Sequence, residues 1–420
     1  MATTPIPPLN EKTFERVKAL LGNPKIAAAL ALAKDEAASA MREQIEICEI
    51  PAPTFEESTR AAEILKRMKA YGVDSVEIDE IGNVVARRPG TDPDGPELAI
   101  GAHMDTVFPA GTDVTVRREG NRYFAPGIGD NCAGLRALLQ VVRCFRGIKT
   151  KGTIWFVGTV GEEGNGDIRG SKFFNAHHKL DGFLAVDNTD VGRILRGAVG
   201  SHRWRMSFDG PGGHSHGAFG QVPSAIHALC IAGAKVAHLK VPKDPKTTFT
   251  IGTFKGGTSV NTIAAHAECD VDMRSLDNAE LLKLEAEVFR IFDEALEEEN
   301  AIWGITDEAK KLRLTKTPIG DRPAGMRPDD CPVLQTARSA QKLLGIALTD
   351  YGYSSTDANA PVSRGVPATC LSAGGVQKLT HTVKEYFDDV ESFLGPQLIF
   401  LTAVALAGAE GHEPLLPKRG

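Results

Sequence analysis

In Glu97-Leu98-Ala99-Ile100-Gly101-Ala102-His103-Met104-Asp105 an apolar run of strand length ends on an imidazole and then a carboxylate. Short continuous apolar runs of this kind read as strands buried on both faces. The same character returns in Thr153–Val160 and Gly182–Val186, and Ser75–Ile78 and Asn83–Ala86 also read as strands. Between them lie segments with apolar residues at helical spacing. Pro24–Cys48 and Glu56–Tyr71 come first, then Cys132–Arg146 with Leu135, Leu138, Leu139 and Val142, then Ile168–His177. Strands alternating with helices predict an α/β architecture, a mostly parallel mixed sheet flanked by helices on both faces.

The pattern changes near Ile194–Ser201. His202–Phe208 alternates like a half-buried strand, Pro223–Leu239 reads as a helix, Thr247–Phe254 and Ala264–Arg274 as strands, and Asn278–Leu296 as a long helix. This block predicts a two-layer α+β domain with an antiparallel sheet. Leu312–Arg327, with Thr315, Lys316, Thr317, Pro318, Gly320 and Pro323, reads as a return linker. Helix Cys331–Leu344, strand Ala368–Leu371 and helix Lys384–Ala407 then resume the first pattern. The expected organisation is a discontinuous main domain, residues 1–198 and 320–420, with an inserted domain over residues 199–319.

At 420 residues two domains are the ordinary expectation. The composition, 42% hydrophobic and 24% charged with a net charge of -6, is that of a soluble globular chain. No Lys/Arg-dense stripe suggests nucleic acid as a partner. No run approaches the ~18 consecutive apolar residues of a membrane-spanning helix. Met1–Phe14 has no apolar core of a signal peptide. Seven scattered cysteines, Cys48, Cys132, Cys144, Cys230, Cys269, Cys331 and Cys370, without CxxC pairs, read as free thiols in a reducing compartment. A cytoplasmic protein is the expectation.

The chemistry falls just beyond strand ends, where an open α/β sheet presents its ligands. His103 can ligate a metal, while Asp105 can accept its other N–H and fix the tautomer. Gly127-Ile128-Gly129-Asp130-Asn131 is a glycine-rich turn opening a helix, and the Asp130 carboxylate has two oxygens with which to bridge two cations. Glu162 and Glu163 follow Thr153–Val160; adjacent carboxylates need cations or different roles to coexist. One can ligate while the other takes a proton from water. Asp187 ends Gly182–Val186, and His381 follows Gly374-Gly375. Any one of these alone reads as a structural or solvated residue. Together, in this order, they form a metal-hydrolase pattern.

On these residues, with Gly212-Gly213-His214-Ser215, Asn261 and Arg274, the chain resembles the M20 metallopeptidase family over roughly residues 55–390. That family includes dipeptidases, tripeptide aminopeptidases, glutamate carboxypeptidases and acyl-amino-acid deacylases. The resemblance implies a zinc-peptidase-like catalytic domain and an inserted dimerisation or lid domain. It implies two divalent metal ions, zinc first, with manganese or cobalt also compatible. His103 and Asp187 would hold one ion, Glu163 and His381 the other, and Asp130 would bridge them across a cis bond to Asn131. Glu162 would be general base and later general acid, and Asp105 would support His103. His214 would reach a partner subunit's active site to stabilise the oxyanion. Asn261 and Arg274 would hold the substrate's backbone or carboxylate, a task suited to the planar guanidinium fork. His216 reads as a solvated loop residue, and Asp357 as ordering its loop rather than ligating.

Asp187, where relatives have Asp or Glu, leans toward a di- or tripeptidase or aminopeptidase. Asn131 departs from the acid or small residue common at its position. The inserted domain has no basic cluster to suit a multiply acidic substrate. The expected substrate is a small peptide or acyl-amino-acid-like molecule, without nucleic acid or membrane partners, and the expected assembly is a homodimer through the inserted domain. A deacylase or another C–N amidohydrolase on the same metals is the alternative. A non-catalytic scaffold is disfavoured because base and ligands are all present, and a single-zinc hydrolase is the remaining rival.

Overall fold

The computed structural model describes residues 6–73 and 75–419. Part of the stretch Met1–Phe14, read above for a signal peptide, and the last residue of the expected main domain therefore lie outside the described residues. The chain divides into two compact units, one running to Ala198 and resuming at Met326, the other spanning Val199–Gly325. Their principal sheets contain, in chain order, β1 (Ser75–Ile78), β2 (Val84–Arg88), β3 (Glu97–His103), β4 (Thr153–Thr159), β5 (Gly182–Val186), β6 (Gly200–Asp209), β7 (Thr247–Gly256), β8 (His266–Ser275), β9 (Arg313–Arg322) and β10 (Ala368–Leu371).

In the first unit the sheet order is β1-β2-β4-β3-β5-β10. Strands β4, β3, β5 and β10 run parallel, and β2 pairs antiparallel with both β1 and β4. Successive side chains point to opposite faces, and both faces are apolar. Val84, Ala86, Leu98, Ile100, Ile154 and Phe156 meet helices Cys132–Cys144 and Leu394–Ala407 on one side. Val85, Ala99, Val157, Phe183 and Ala185 meet Phe174 and Val362 on the other. Two covered faces explain why these strands read as unbroken apolar runs. Each fully buried side chain of the Leu138 kind contributes about 2 kcal/mol.

The second unit is a sheet of order β7-β8-β6-β9 with every pair antiparallel. Helices Ala225–Ala237 and Asn278–Ile302 form its other layer, burying Leu229, Val236, Leu281, Val288 and Phe292 against Met206, Phe208, Cys269, Val271 and Met273. Strand β8 alternates strictly between buried and partly exposed positions, as a one-sided sheet requires.

Three sequence expectations are corrected. Leu312–Arg327 is not a linker. Residues 313–322 form edge strand β9, and the unit changes at 325/326 rather than 319/320. Pro318, which cannot donate to a ladder, is tolerated because it lies at a register shift on an edge strand. Pro24–Cys48 is two helices, Pro24–Asp35 and Ala37–Cys48, with Glu36 between them at ψ 1°. Lys384–Ala407 is helical only from Leu394, because Tyr386–Asp388 pairs as a strand with Val376–Lys378 and Arg122–Phe124. Pro396 sits in that helix's first turn, where its missing N–H costs nothing.

Candidate metal centre

The adjacent parallel strands β4, β3 and β5 deliver three groups at their carboxyl ends. His103 is the last residue of β3, Glu162 and Glu163 follow β4, and Asp187 follows β5. Asp130 comes from the turn before helix Cys132–Cys144, and His381 from the segment between Val376–Lys378 and Tyr386–Asp388. Asp130 shares itself between the two imidazoles. Its Oδ1 lies 3.1 Å from His103 Nε2 and its Oδ2 lies 3.2 Å from His381 Nε2. Glu163 Oε1 lies 3.0 Å from the same His381 nitrogen. Three triads each bring one donor atom per residue within 4.8 Å of one another: His103, Asp130, Asp187; Asp130, Glu163, His381; and His103, Glu162, Glu163.

The surrounding backbone holds these groups by hydrogen bonds. Asp105 is fully buried; its Oδ1 and Oδ2 accept the N–H groups of Glu162 and Glu163 at 2.9 and 3.0 Å. Thr54 Oγ1 donates to Oδ2, and His103 Nδ1 lies 3.1 Å from the Asp105 carbonyl and 3.4 Å from its carboxylate. One carboxylate thus orients a histidine and the Glu162-Glu163 pair together. The Asp130–Asn131 peptide is cis. Asn131 caps helix Cys132–Cys144 by accepting from Gly134 N, and its Nδ2 donates to Val186 O at 2.8 Å, beside Asp187. That contact needs glycine at 134, where a Cβ would fall 2.0 Å from Asn131 Oδ1.

A further supporting residue escaped the sequence. Glu385 is fully buried, and its carboxylate accepts the N–H groups of Gly127, Gly129 and Asp130 at 2.9–3.0 Å. It joins the His381 segment to the Asp130 turn. The His381-x-x-x-Glu385 spacing was its one local signal.

The donor set is one that cations would relieve. Burial, then the neighbouring Asp130 charge, pushes Asp187 up to about 7. Hydrogen bonds with Asp130 and Glu163 push His381 up to about 10. Burial disfavours a charged His103, yet its bonds to Asp105 and Asp130 hold it well above the ordinary histidine value. Burial likewise opposes ionised Asp130, but His103 and His381 keep it far below the usual carboxylate range. Without metal, protons on both histidines balance the carboxylates. Ligation requires neutral imidazole and ionised carboxylate, so loading should release at least the two imidazole protons near pH 7. Affinity should therefore rise with pH, by about tenfold per unit for each proton released. Titration calorimetry in buffers of differing ionisation enthalpy counts those protons; a count of zero contradicts this charge balance.

The other predicted residues lie in the second unit. The bridge Gly213–His214 with Thr262–Ile263 brings His214 beside Asn261, whose carbonyl accepts from Ser215 N at 2.9 Å. His214 Nδ1 accepts from His216 N and Gly217 N, and Asn261 Oδ1 from Ser259 Oγ; both residues are exposed. Arg274 stands apart near the end of β8, its Nε 2.7 Å from Asp272, a carboxylate also engaged by Arg203. In the first unit, buried Asp357 accepts from Thr159 Oγ1 at the end of β4, consistent with a loop-ordering role.

Residues 196–300 match the family model of the M20 peptidase dimerisation domain. The matched stretch falls almost wholly within the second unit, so that unit is of the M20 dimerisation type. Residues 83–208 also match the model of peptidase family M28, over the stretch that carries His103, Asp130, Glu162, Glu163 and Asp187. Among proteins of similar sequence is an uncharacterised Bacillus subtilis protein, YqjE, 27% identical over 363 residues, covering 82% of this chain and 92% of that one. The N-carbamoyl-L-amino-acid amidohydrolase of Paenarthrobacter aurescens is 32% identical over 146 residues, 33% of this chain and 31% of that one. The fold is shared with aminopeptidase PepT from Bacillus cereus, at TM-score 0.70 and 23% identity, covering 87% of this chain and 97% of that one. It is shared too with Bacillus subtilis YXEP, a dinuclear metal-binding M20 peptidase, at TM-score 0.64 and 17% identity, covering 89% and 99%.

Proposed function

We propose that this chain is a dinuclear metal-dependent hydrolase that cleaves the amide C–N bond of a small substrate, of di-/tripeptidase or aminopeptidase type. The observation that carries this is the single Asp130 carboxylate facing a different imidazole with each oxygen. In this reading His103, Asp130 and Asp187 hold one divalent cation, and Asp130, Glu163 and His381 the other. An imidazole-carboxylate set suits zinc first and accepts manganese or cobalt. Cations held there acidify a water and polarise the scissile carbonyl.

Glu162 takes the proton from the attacking water and returns it to the leaving nitrogen. Asp105, through the N–H groups it accepts, keeps Glu162 and Glu163 splayed toward different tasks. Asn261 and Arg274 are assigned to the substrate's backbone or carboxylate, and His214 to the oxyanion of a partner's site. For Arg274 that role requires its guanidinium to share or leave Asp272.

A second reading, an N-carbamoyl or N-acyl amino acid amidohydrolase on the same metals, is favoured by the similarity to the Paenarthrobacter enzyme. One experiment separates them. The chain loaded with zinc, manganese or cobalt is offered dipeptides, tripeptides, N-acyl and N-carbamoyl amino acids, with release of amino groups or ammonia measured. Turnover of short peptides with a free amino terminus supports the first reading and turnover of capped substrates the second. Inertness toward all of them, in a chain carrying two cations, defeats both.

The dimerisation domain points to a homodimer. Strand β7 lies at the edge of its sheet, with Phe254 49% exposed on it, which supports pairing between copies along that edge. Sedimentation should give a dimer; an active monomer would remove the role given to His214. Seven free cysteines, six of them buried, support a cytoplasmic setting. No helix among the described residues is long and apolar enough to cross a membrane.

A further inference from the structure

Arg136 is fully buried in the middle of helix Cys132–Cys144. Among the described residues it makes no ion pair. Its guanidinium instead donates to backbone carbonyls: Nη2 to Ala373 O at 2.6 Å and Gly374 O at 3.5 Å, and Nη1 to Ser392 O at 3.4 Å. The Phe387 ring lies 5.8 Å away. Burial pushes this cation down to about 10, so its charge is held at a cost. A buried guanidinium spent on main-chain carbonyls calls for an explanation in what those carbonyls do.

The carbonyls belong to the neck of one excursion. Residues 373–392 leave the core, pair Val376–Lys378 with Tyr386–Asp388, carry His381 and Glu385, and return. The two ends close tightly. A Cβ on Gly374 would meet Ser392 O at 2.4 Å, and one on Gly395 would meet Ala373 O at 2.1 Å. Arg136 lies beneath this closure and holds both ends.

His381 needs such a support. His103 has Asp105 behind its Nδ1, the usual way a protein aims a ligating imidazole. For His381 Nδ1 no such partner occurs among the described residues. Its side chain is 52% exposed and its backbone is in the left-handed region at φ 64°. Its aim is therefore set through the main chain. Asp130, the carboxylate it faces, immediately precedes the helix that carries Arg136.

We propose that Arg136 is a positioning residue that fixes the His381 segment relative to Asp130, and so sets the affinity of the Asp130–Glu163–His381 cation position selectively. The planar fork reaches carbonyls on both sides of the neck; a lysine ammonium is a point donor on a flexible stem. The inference rests on the two-cation reading above.

The test is metal binding rather than turnover. Metal-free chain is titrated with zinc by calorimetry, and His381→Ala identifies which event belongs to the His381 position. In Arg136→Met that event should weaken ~10- to 100-fold, the usual cost of losing a supporting partner, while the other event keeps its affinity. Arg136→Lys should recover part of the loss, and serves in its place if Arg136→Met does not fold. Leu139→Ala, a buried core truncation on the same helix, should leave both events unchanged. Two wild-type events in Arg136→Met, or equal weakening of both in Arg136→Met and Leu139→Ala, overturns the inference. A wild-type chain that binds one cation overturns the two-cation reading itself, before any variant is made.

Discussion

Glu162→Gln should lower kcat ~100- to 10,000-fold, the usual range for a positioned proton transfer, while both cations stay bound and KM changes little. The amide has the shape of the carboxylate, so packing at this buried position is preserved. The Glu162 N–H still reaches Asp105 Oδ1, the contact that places the residue. What is lost is a base able to accept a proton from water and return it to nitrogen. The result also decides a point of geometry. Glu162 can bring an oxygen within 4.8 Å of donors from His103 and Glu163, so it has the reach of a ligand as well as of a base. A variant that sheds a cation makes it a ligand. A variant that keeps both cations and works within about tenfold of the wild type refutes the proton-transfer role, given the size expected of such a step.

The parts of this centre that were legible are those whose chemistry is local. His103 ends an apolar run, the two glutamates end another, and Asp187 a third, so sequence position and strand position coincide. Of the supporting residues, Asp105 was legible beside His103, but Glu385 and Arg136 had no strand-end position to mark them. Glu385 accepts N–H groups more than 250 residues earlier in the chain, and beyond its spacing from His381 nothing near it marks a buried carboxylate. Arg136 stands in an amphipathic-looking segment where an arginine reads as solvent-facing, yet every residue of that helix is buried. Asn131 looked like an unexplained departure; it is a helix cap and a tie to Val186, two jobs an acid or a small apolar residue could not both perform. The inserted domain's strands β6 to β8 were legible from alternation. Strand β9 was not, because Thr, Pro and Gly at an edge strand's irregularity resemble turn chemistry. Tyr386–Asp388 was absorbed into a helix for a similar reason. Its partners, Val376–Lys378 and Arg122–Phe124, are supplied by segments before it, the latter far away.

Asp130→Ala should abolish binding of both cations together and reduce hydrolysis to background. Every other group in the two relevant triads serves one position, whereas Asp130 belongs to both. Loss of an outer-shell support costs metal affinity ~10- to 100-fold, and loss of a shared ligand should exceed that at each position. The charge balance points the same way. The hydrogen bond with Asp130 contributes most to lifting His381 to about 10, so in the variant His381 should titrate lower, and fewer protons should leave on exposure to metal. A melting experiment then reads occupancy without any substrate. Ligand at about a hundred times its Kd stabilises a folded chain by roughly 2.7 kcal/mol, so zinc should raise the wild-type Tm and leave that of Asp130→Ala in place. Asp130→Asn keeps one carbonyl oxygen and should retain a weak response where alanine has none. A full zinc-dependent shift in Asp130→Ala would mean that the cations do not share this carboxylate, and two independent sites would have to replace the bridged pair.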